Sequence, residues 1–178
     1  MRRSWKTAGF TLIELMVVFA ILAMAAGFSA PHMQKWMRGY RLKGAVMDLH
    51  SNMQLAKANA VKENRPWLLQ FDASGTYTVI QCLTNTWNPC TAGTENIDWR
   101  PTKTVNLKTT YGDEIVFYNP QSSLLFEQNP LTFERTGTTT NAGFAYMSNA
   151  NHSSCYRIGT QYMAGAVRIQ RWNGSQWN

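Results

Sequence analysis

Acidic residues run out early in this chain of 178 residues: after Glu134 there is no Asp or Glu, while Arg135, Arg157, Arg168 and Arg171 remain. The end of the chain is therefore locally basic, which suits contact with phosphates or lipid headgroups and equally suits a merely solvated surface. No Gly-rich nucleotide loop and no GxSxG elbow occurs, and the three histidines, His32, His50 and His152, are widely separated. A catalytic site is not expected, so the chain reads as no enzyme. His152 and Cys155 have a spacing compatible with metal ligation, but two ligands without further candidates make a poor site. No metal or other cofactor is expected. There is also no internal repeat and no stretch that reads as a separate linker. The length suits one modest globular core plus one membrane segment.

What the chain does have is a long apolar run, Phe10 to Ala30, preceded by Arg2, Arg3 and Lys6 and broken by Glu14 and a few small polar residues. About 20 such residues rising 1.5 Å each cover the hydrocarbon core of a bilayer. The basic start orients the span with its N-terminus inside. A secretory signal would place small residues after the apolar stretch, whereas here Ala8 and Gly9 precede it. Cutting after Gly9 removes the basic residues and keeps the helix. The side-chain charge then falls from +7 to +4 with the loss of three cations. Glu14 is the anomaly. A carboxylate at the centre of a membrane helix costs about 2.5–3.5 kcal/mol on insertion scales, so it needs a partner or a role. Cleavage after Gly9 creates a partner, the new α-amine of Phe10. Within one helix the two groups meet awkwardly; between adjacent copies one chain's amine reaches the next chain's Glu14.

The stretch "GFTLIELMVV" resembles the class III signal of type IV pilins and type II secretion pseudopilins. The resemblance implies cleavage between Gly9 and Phe10 by a prepilin peptidase, N-methylation of Phe10, and Glu14 as the assembly residue. It also implies retention in bacterial inner-membrane lipid as a single-pass protein with its head in the periplasm. Insertion into a filament beside other pilin or pseudopilin subunits would follow. The domains expected are a leader at 1–9, a transmembrane and filament-core helix at 10–31, and a head at 32–178, helical to 65 and β-rich from 66.

Pro31 predicts a kink or an extended turn. Beyond it, Leu42, Val46, Leu49, Met53, Ala56 and Ala60 make one apolar stripe that should lie against the head. Lys35, Arg38, Arg41, Lys43, Lys57, Lys62 and Arg65, against Asp48 and Glu63, read as a solvated helix face, or as headgroup or filament contacts nearest the membrane. Pro66 disfavours helix at Arg65 and should stop it. "WLLQF", "DASG" and "TYTVIQ" then predict a hairpin over Trp67 to Gln81, with Gly75 free to take a positive φ. Further strands are expected at 114–118, 131–133, 143–147, 155–158 and 166–172, and residues 83–110 read as a long loop. The fold class is α+β: a pilin-like long N-terminal helix packed on antiparallel sheet.

Asp48 to Phe71 is similar to the helix-end signature of the GspH/FimT subgroup, with Leu55, Ala56, Lys57, Ala60, Asn64, Arg65 and Pro66 filling the pattern and Lys57 standing where arginine is usual. The late "GAVR" at Gly165 to Arg168 lacks one arginine of that subgroup's ending. The resemblance implies a minor pilin or pseudopilin and leaves open which machine, a type IV pilus or a type II secretion pseudopilus. In some FimT-like proteins basic residues near the C-terminus serve DNA capture, so Arg157, Arg168 and Arg171, beside Trp172 and Trp177, are candidate DNA contacts. Regular alternation puts Arg168 and Arg171 on opposite faces of their strand, which does not guarantee a continuous basic surface. A membrane-tethered binding module that never polymerises is a further alternative. Cys82, Cys90 and Cys155 fall in the part assigned to the periplasm, where disulfides persist. Cys82 with Cys90 is the preferred pair; sequence does not decide it.

Overall fold

A computed structural model describes residues 10–83, 99–112 and 114–178, including their side chains except at 28–35 and 99. The chain divides into two compact units, Met1–Met37 and Arg38–Asn178. One helix, α1 (Leu12–Glu63, 52 residues), belongs to both. It is helical at Pro31, so the extended turn expected there does not form; the proline removes one amide donor and crowds the carbonyl of the preceding turn, and the hydrogen bonds of the flanking turns can carry the helix on.

From Leu12 to Met24, α1 carries apolar side chains on every side with Glu14 as the one charge, and the large ones are exposed: Leu12 is 77%, Phe19 61% and Met24 65% accessible. In the second unit the helix is amphipathic, and the expected stripe, with Ala45 added, is fully buried. The helix ends on Asn64, whose φ of 52° is left-handed. Arg65 N–H closes back on the Ala60 carbonyl at 3.1 Å, and Pro66 then prevents continuation.

Two antiparallel sheets follow. The first has the order β3-β2-β1-β5, from β1 (Trp67–Asp72), β2 (Thr76–Cys82), β3 (Trp99–Asn106) and, further along the chain, β5 (Leu131–Phe133). The second has the order β4-β6-β7-β8, from β4 (Ile115–Phe117), β6 (Gly143–Asn149), β7 (Cys155–Thr160) and β8 (Val167–Arg171). The β1–β2 hairpin forms in the expected register, with Leu69 opposite Val79 and Gly75 at φ 94° in its turn. Odd-numbered Trp67, Leu69 and Phe71 face the core with Tyr77 and Val79. Leu68 faces the other way, clustered with Ile80 and Cys82. The core joins these residues to the α1 stripe, to Phe117 and Phe133, and to Met147 and Ile158 of the second sheet.

The expected loop at 83–110 is corrected in its second half, which holds β3 and the short helix α2 (Leu107–Tyr111). β3 is an edge strand. Pro101 and exposed Lys103 are tolerated there because one side of the strand needs no sheet partners, and the register shift between Val79 and Ile80 relaxes the pairing beside the proline. The Asn106 side chain caps α2 by accepting from the amides of Lys108 and Thr109.

Candidate functional site

Phe10 stands just ahead of α1 and is 83% exposed; Gly9 lies outside the described residues. Thr11 is the cap of the helix: its Oγ1 accepts from the Glu14 amide at 3.2 Å, and its carbonyl accepts from Leu15 N–H at 3.2 Å. Thr11-x-x-Glu14 is the sequence form of a capping box, and Glu14 sits in the first turn, where the exposed amides and the helix dipole favour negative charge. Glu14 is therefore compatible with its own helix end as well as with a neighbour's amine. The sequence contained this signal in the Thr11 to Glu14 spacing. Around it, the apolar side chains from Leu12 to Met24 find no cover within their own unit, and a helix apolar on all sides requires an apolar surround. Among the described residues no helix is long and apolar enough to cross a membrane; side chains of the run are described as far as Gly27.

The helix-end signature converts into contacts residue by residue. Ala56 and Ala60 are buried, which lets α1 lie close on the sheets. Lys57 lays its methylenes on Gly137, where a Cβ would sit 3.3 Å from its Cε, and its ammonium donates to the Gly165 carbonyl at 2.9 Å. Gly165, at φ 68°, approaches Gly137 so closely that a Cβ would lie 2.1 Å from the Gly137 oxygen. Arg65 donates to the Leu83 carbonyl at 3.0 Å, and the Pro66 carbonyl accepts from Cys82 N–H. Glu63 accepts from Trp67 Nε1 at 3.2 Å and Gln81 Nε2 at 2.6 Å. Lys57, Arg65 and Glu63 are thus joints between helix and sheets, where the sequence suggested a solvated face.

A polar cluster absent from the sequence reading pins α1 to the first sheet. Tyr77 donates its phenol to Asp48 Oδ2 at 2.9 Å and accepts from buried Asn52 Nδ2 at 2.7 Å. Lys103 of β3 donates to Asn52 Oδ1 at 3.0 Å and lies 3.5 Å from Asp48 Oδ1. Burial, reinforced by the Asp48 charge, holds the Tyr77 phenol well above its ordinary range. The same causes push Tyr111 up to about 12. Tyr77 alternates inward on β2, so its partners follow only once the helix is docked.

The three C-terminal arginines have different settings. Arg157 donates to Gln170 at 2.8 Å and lies over the rings of Phe144 (4.4 Å) and Trp177 (5.0 Å). Opposite it, Tyr146 donates to the Glu127 carboxylate; burial first, then Glu127, push this phenol up to about 12, with Arg157 opposing. Arg168, on the same face of the second sheet, is exposed and reaches Gln161 at 3.4 Å. Arg171 alternates to the opposite face. The fold does not gather the three into one basic patch. Of the cysteines, Cys82 is disulfide-bonded and Cys155 is a free, buried thiol; Cys90 lies outside the described residues.

Residues 45–161 match the family model described as type II transport protein GspH, and residues 6–30 match the prokaryotic N-terminal methylation motif. The chain belongs to the GspH family. With the methylation motif ahead of the family region, it is a GspH-type pseudopilin, a structural subunit of type II secretion. DNA capture is not the favoured reading. The GspH-family fold is also similar to two solved structures of the minor pseudopilin EpsH from the Type 2 Secretion System of Vibrio cholerae. Each is 13% identical, covering 72% of this chain and 95% of EpsH, with TM-scores of 0.53 and 0.51. No curated protein matches this GspH-family chain by sequence.

Proposed function

We propose that this pseudopilin is matured by a prepilin peptidase between Gly9 and Phe10, methylated at Phe10, and assembled at low copy number into the pseudopilus through Glu14. The observation that carries the reading is Glu14 in the first turn, four residues from Phe10, within the segment Leu12 to Met24 whose large apolar side chains are exposed. In lipid or in a filament core, an unpartnered carboxylate there is costly. The α-amine of a neighbouring subunit's Phe10 removes that cost and sets the axial register of the two helices. The leader at 1–9 holds the N-terminus on the cytoplasmic side of the inner membrane, the helix at 10–31 lies in lipid before assembly and in the filament core after it, and the head at 32–178 faces the periplasm. In that oxidising compartment Cys82 pairs with Cys90 and closes the short loop between them.

Mass spectrometry of the protein recovered from membranes tests the processing. Wild type is expected to begin at methylated Phe10, and Gly9→Val to retain its leader. Glu14→Ala is expected to be cleaved yet scarce in sheared filaments. A Gly9→Val protein with the mature N-terminus, or a Glu14→Ala protein in filaments at wild-type abundance, would overturn the proposal.

A further inference from the structure

The turn that joins β7 to β8, Gln161 to Ala166, puts two large apolar side chains into solvent. Tyr162 is 62% and Met163 61% exposed, and neither belongs to the core. The residues from Gln161 to Ala164 are all exposed, so the tip of the turn is left uncovered by its own head. Its backbone is nonetheless fixed. The Met163 carbonyl accepts from Thr139 N–H at 2.8 Å, the Tyr162 carbonyl from Gly165 N–H at 3.3 Å, and the Gly165 carbonyl from Lys57 Nζ at 2.9 Å. Gly165 is buried against the Gly137 oxygen, and Thr160 opposite Val167 closes the hairpin behind the turn. A turn held at this many points loses little freedom when a partner covers it.

These bonds set the turn beside the hairpin from Glu134 to Thr138 and beside the end of α1. Val61, 53% exposed, and the Lys57 methylenes both lie against Gly137, where a Cβ would come within 3.1 Å of Val61 Cγ2 and 3.3 Å of Lys57 Cε. Val61, Met163 and Tyr162 thus emerge at one corner of the head. The charges around them are Lys57, Arg135 and Arg168 against Glu134. Arg168 is exposed and reaches Gln161 of the turn at 3.4 Å, whereas the Glu134 carboxylate already accepts from the Thr140 hydroxyl at 3.1 Å. Grouped apolar side chains rimmed by charge mark an interaction surface, and Tyr, Met and Arg are enriched at such surfaces. A second copy of this chain would bring the same cations against Lys57, Arg135 and Arg168, which opposes self-pairing through this corner.

We infer that this corner docks the head of a different pseudopilin, one that presents an apolar hollow with an acidic rim. Tyr162 and Met163 fill the hollow, and Arg168 meets the rim. The inference rests on the assembly proposed above, which sets this low-copy subunit among other pseudopilins.

Photo-crosslinking in secreting cells tests it, with benzoylphenylalanine at exposed Ala164 of the full-length chain. The expected adduct is with another pseudopilin, identified by mass spectrometry. Tyr162→Ser combined with Met163→Ser should cut that adduct about tenfold, the effect of truncating the anchors of an interface, and Arg168→Glu should lower it as well. Both variants should melt within about 2 °C of wild type, because the altered side chains are exposed. An adduct with a second copy, an adduct with a secreted protein alone, or no adduct would overturn the inference, as would an adduct undiminished in both variants. Secretion separates this from the assembly itself. If Glu14→Ala abolishes secretion while Ala164 yields no pseudopilin adduct, only the docking surface is wrong; if Glu14→Ala secretes normally, the assembly proposal fails.

Discussion

Tyr77→Phe removes one oxygen from the joint between α1 and the first sheet and alters the packed ring hardly at all. The hydroxyl both donates to Asp48 at 2.9 Å and accepts from Asn52 at 2.7 Å. A hydrogen bond to a charged group contributes about 1.5–3 kcal/mol, and a buried amide left without an acceptor costs about 1–3 kcal/mol. Asn52 is only 5% exposed, so water does not readily replace the phenol, whereas the Asp48 side chain is 30% exposed and can be rehydrated in part. The sum is therefore discounted to about 2 kcal/mol, or roughly a 4–8 °C fall in melting temperature for a chain of this size. Thermal melting of the mature protein in detergent, followed by near-ultraviolet circular dichroism, reads the loss of tertiary packing. In a double-mutant cycle with Asn52→Ala, the combined loss should fall short of the sum, because the first change has already removed what the second partner held. A Tyr77→Phe protein within about 0.5 kcal/mol of wild type, or strict additivity in the cycle, would refute the reasoning.

Further predictions concern backbone approach and alkaline pH. Gly159→Ala should abolish folding of the second sheet, since its Cβ would meet the Gly143 carbonyl oxygen at 2.0 Å; Gly75→Ala, with open space at the turn, should cost only about 1 kcal/mol of backbone strain. Recovery of folded protein from the two variants compares them directly. The phenols of Tyr111 and Tyr146 ionise near 12 in the folded chain against 10.0 ordinarily, so above pH 10 the unfolded state loses protons the folded state keeps. Their contribution to stability is complete below pH 10 and should decline from there through about pH 12, and Tyr146→Phe should flatten the decline in urea titrations at stepped pH.

How legible the molecule was varied with the range of the interactions involved. The apolar stripe from Leu42 to Ala60 and the hairpin at Gly75 are local patterns, and both were readable apart from Ala45 and the last residue of the hairpin. The helix end at Glu63 was readable because Asn64 and Pro66 punctuate it. β3 escaped notice because an edge strand can carry Pro101 and Lys103 and shows no apolar alternation. That there are two sheets was hidden as well. β5 joins the first sheet through Trp67 opposite Phe133, a pairing that no local signal announces, while β4 and β6 flank it in sequence and belong to the second. In the candidate site the positions of Phe10 and Glu14 were legible from the motif. The capping by Thr11 is carried by the Thr11 to Glu14 spacing, a signal that the apolar run around it obscures. Lys57, Asp48 and Glu63 read as surface charges because their partners, Gly165, Tyr77 and Gln81, lie 18 or more positions away.

Glu14, in this proposal, makes the GspH-type pseudopilin an assembling subunit of the secretion machine. The most direct measurement complements a deletion strain with wild type or Glu14→Ala and scores secreted proteins, surface pili and DNA uptake side by side. Wild type is expected to restore secretion, Glu14→Ala to be processed without restoring it, and pili and DNA uptake to stay normal throughout. Normal secretion in the deletion strain with loss of pili or DNA uptake would contradict the proposal.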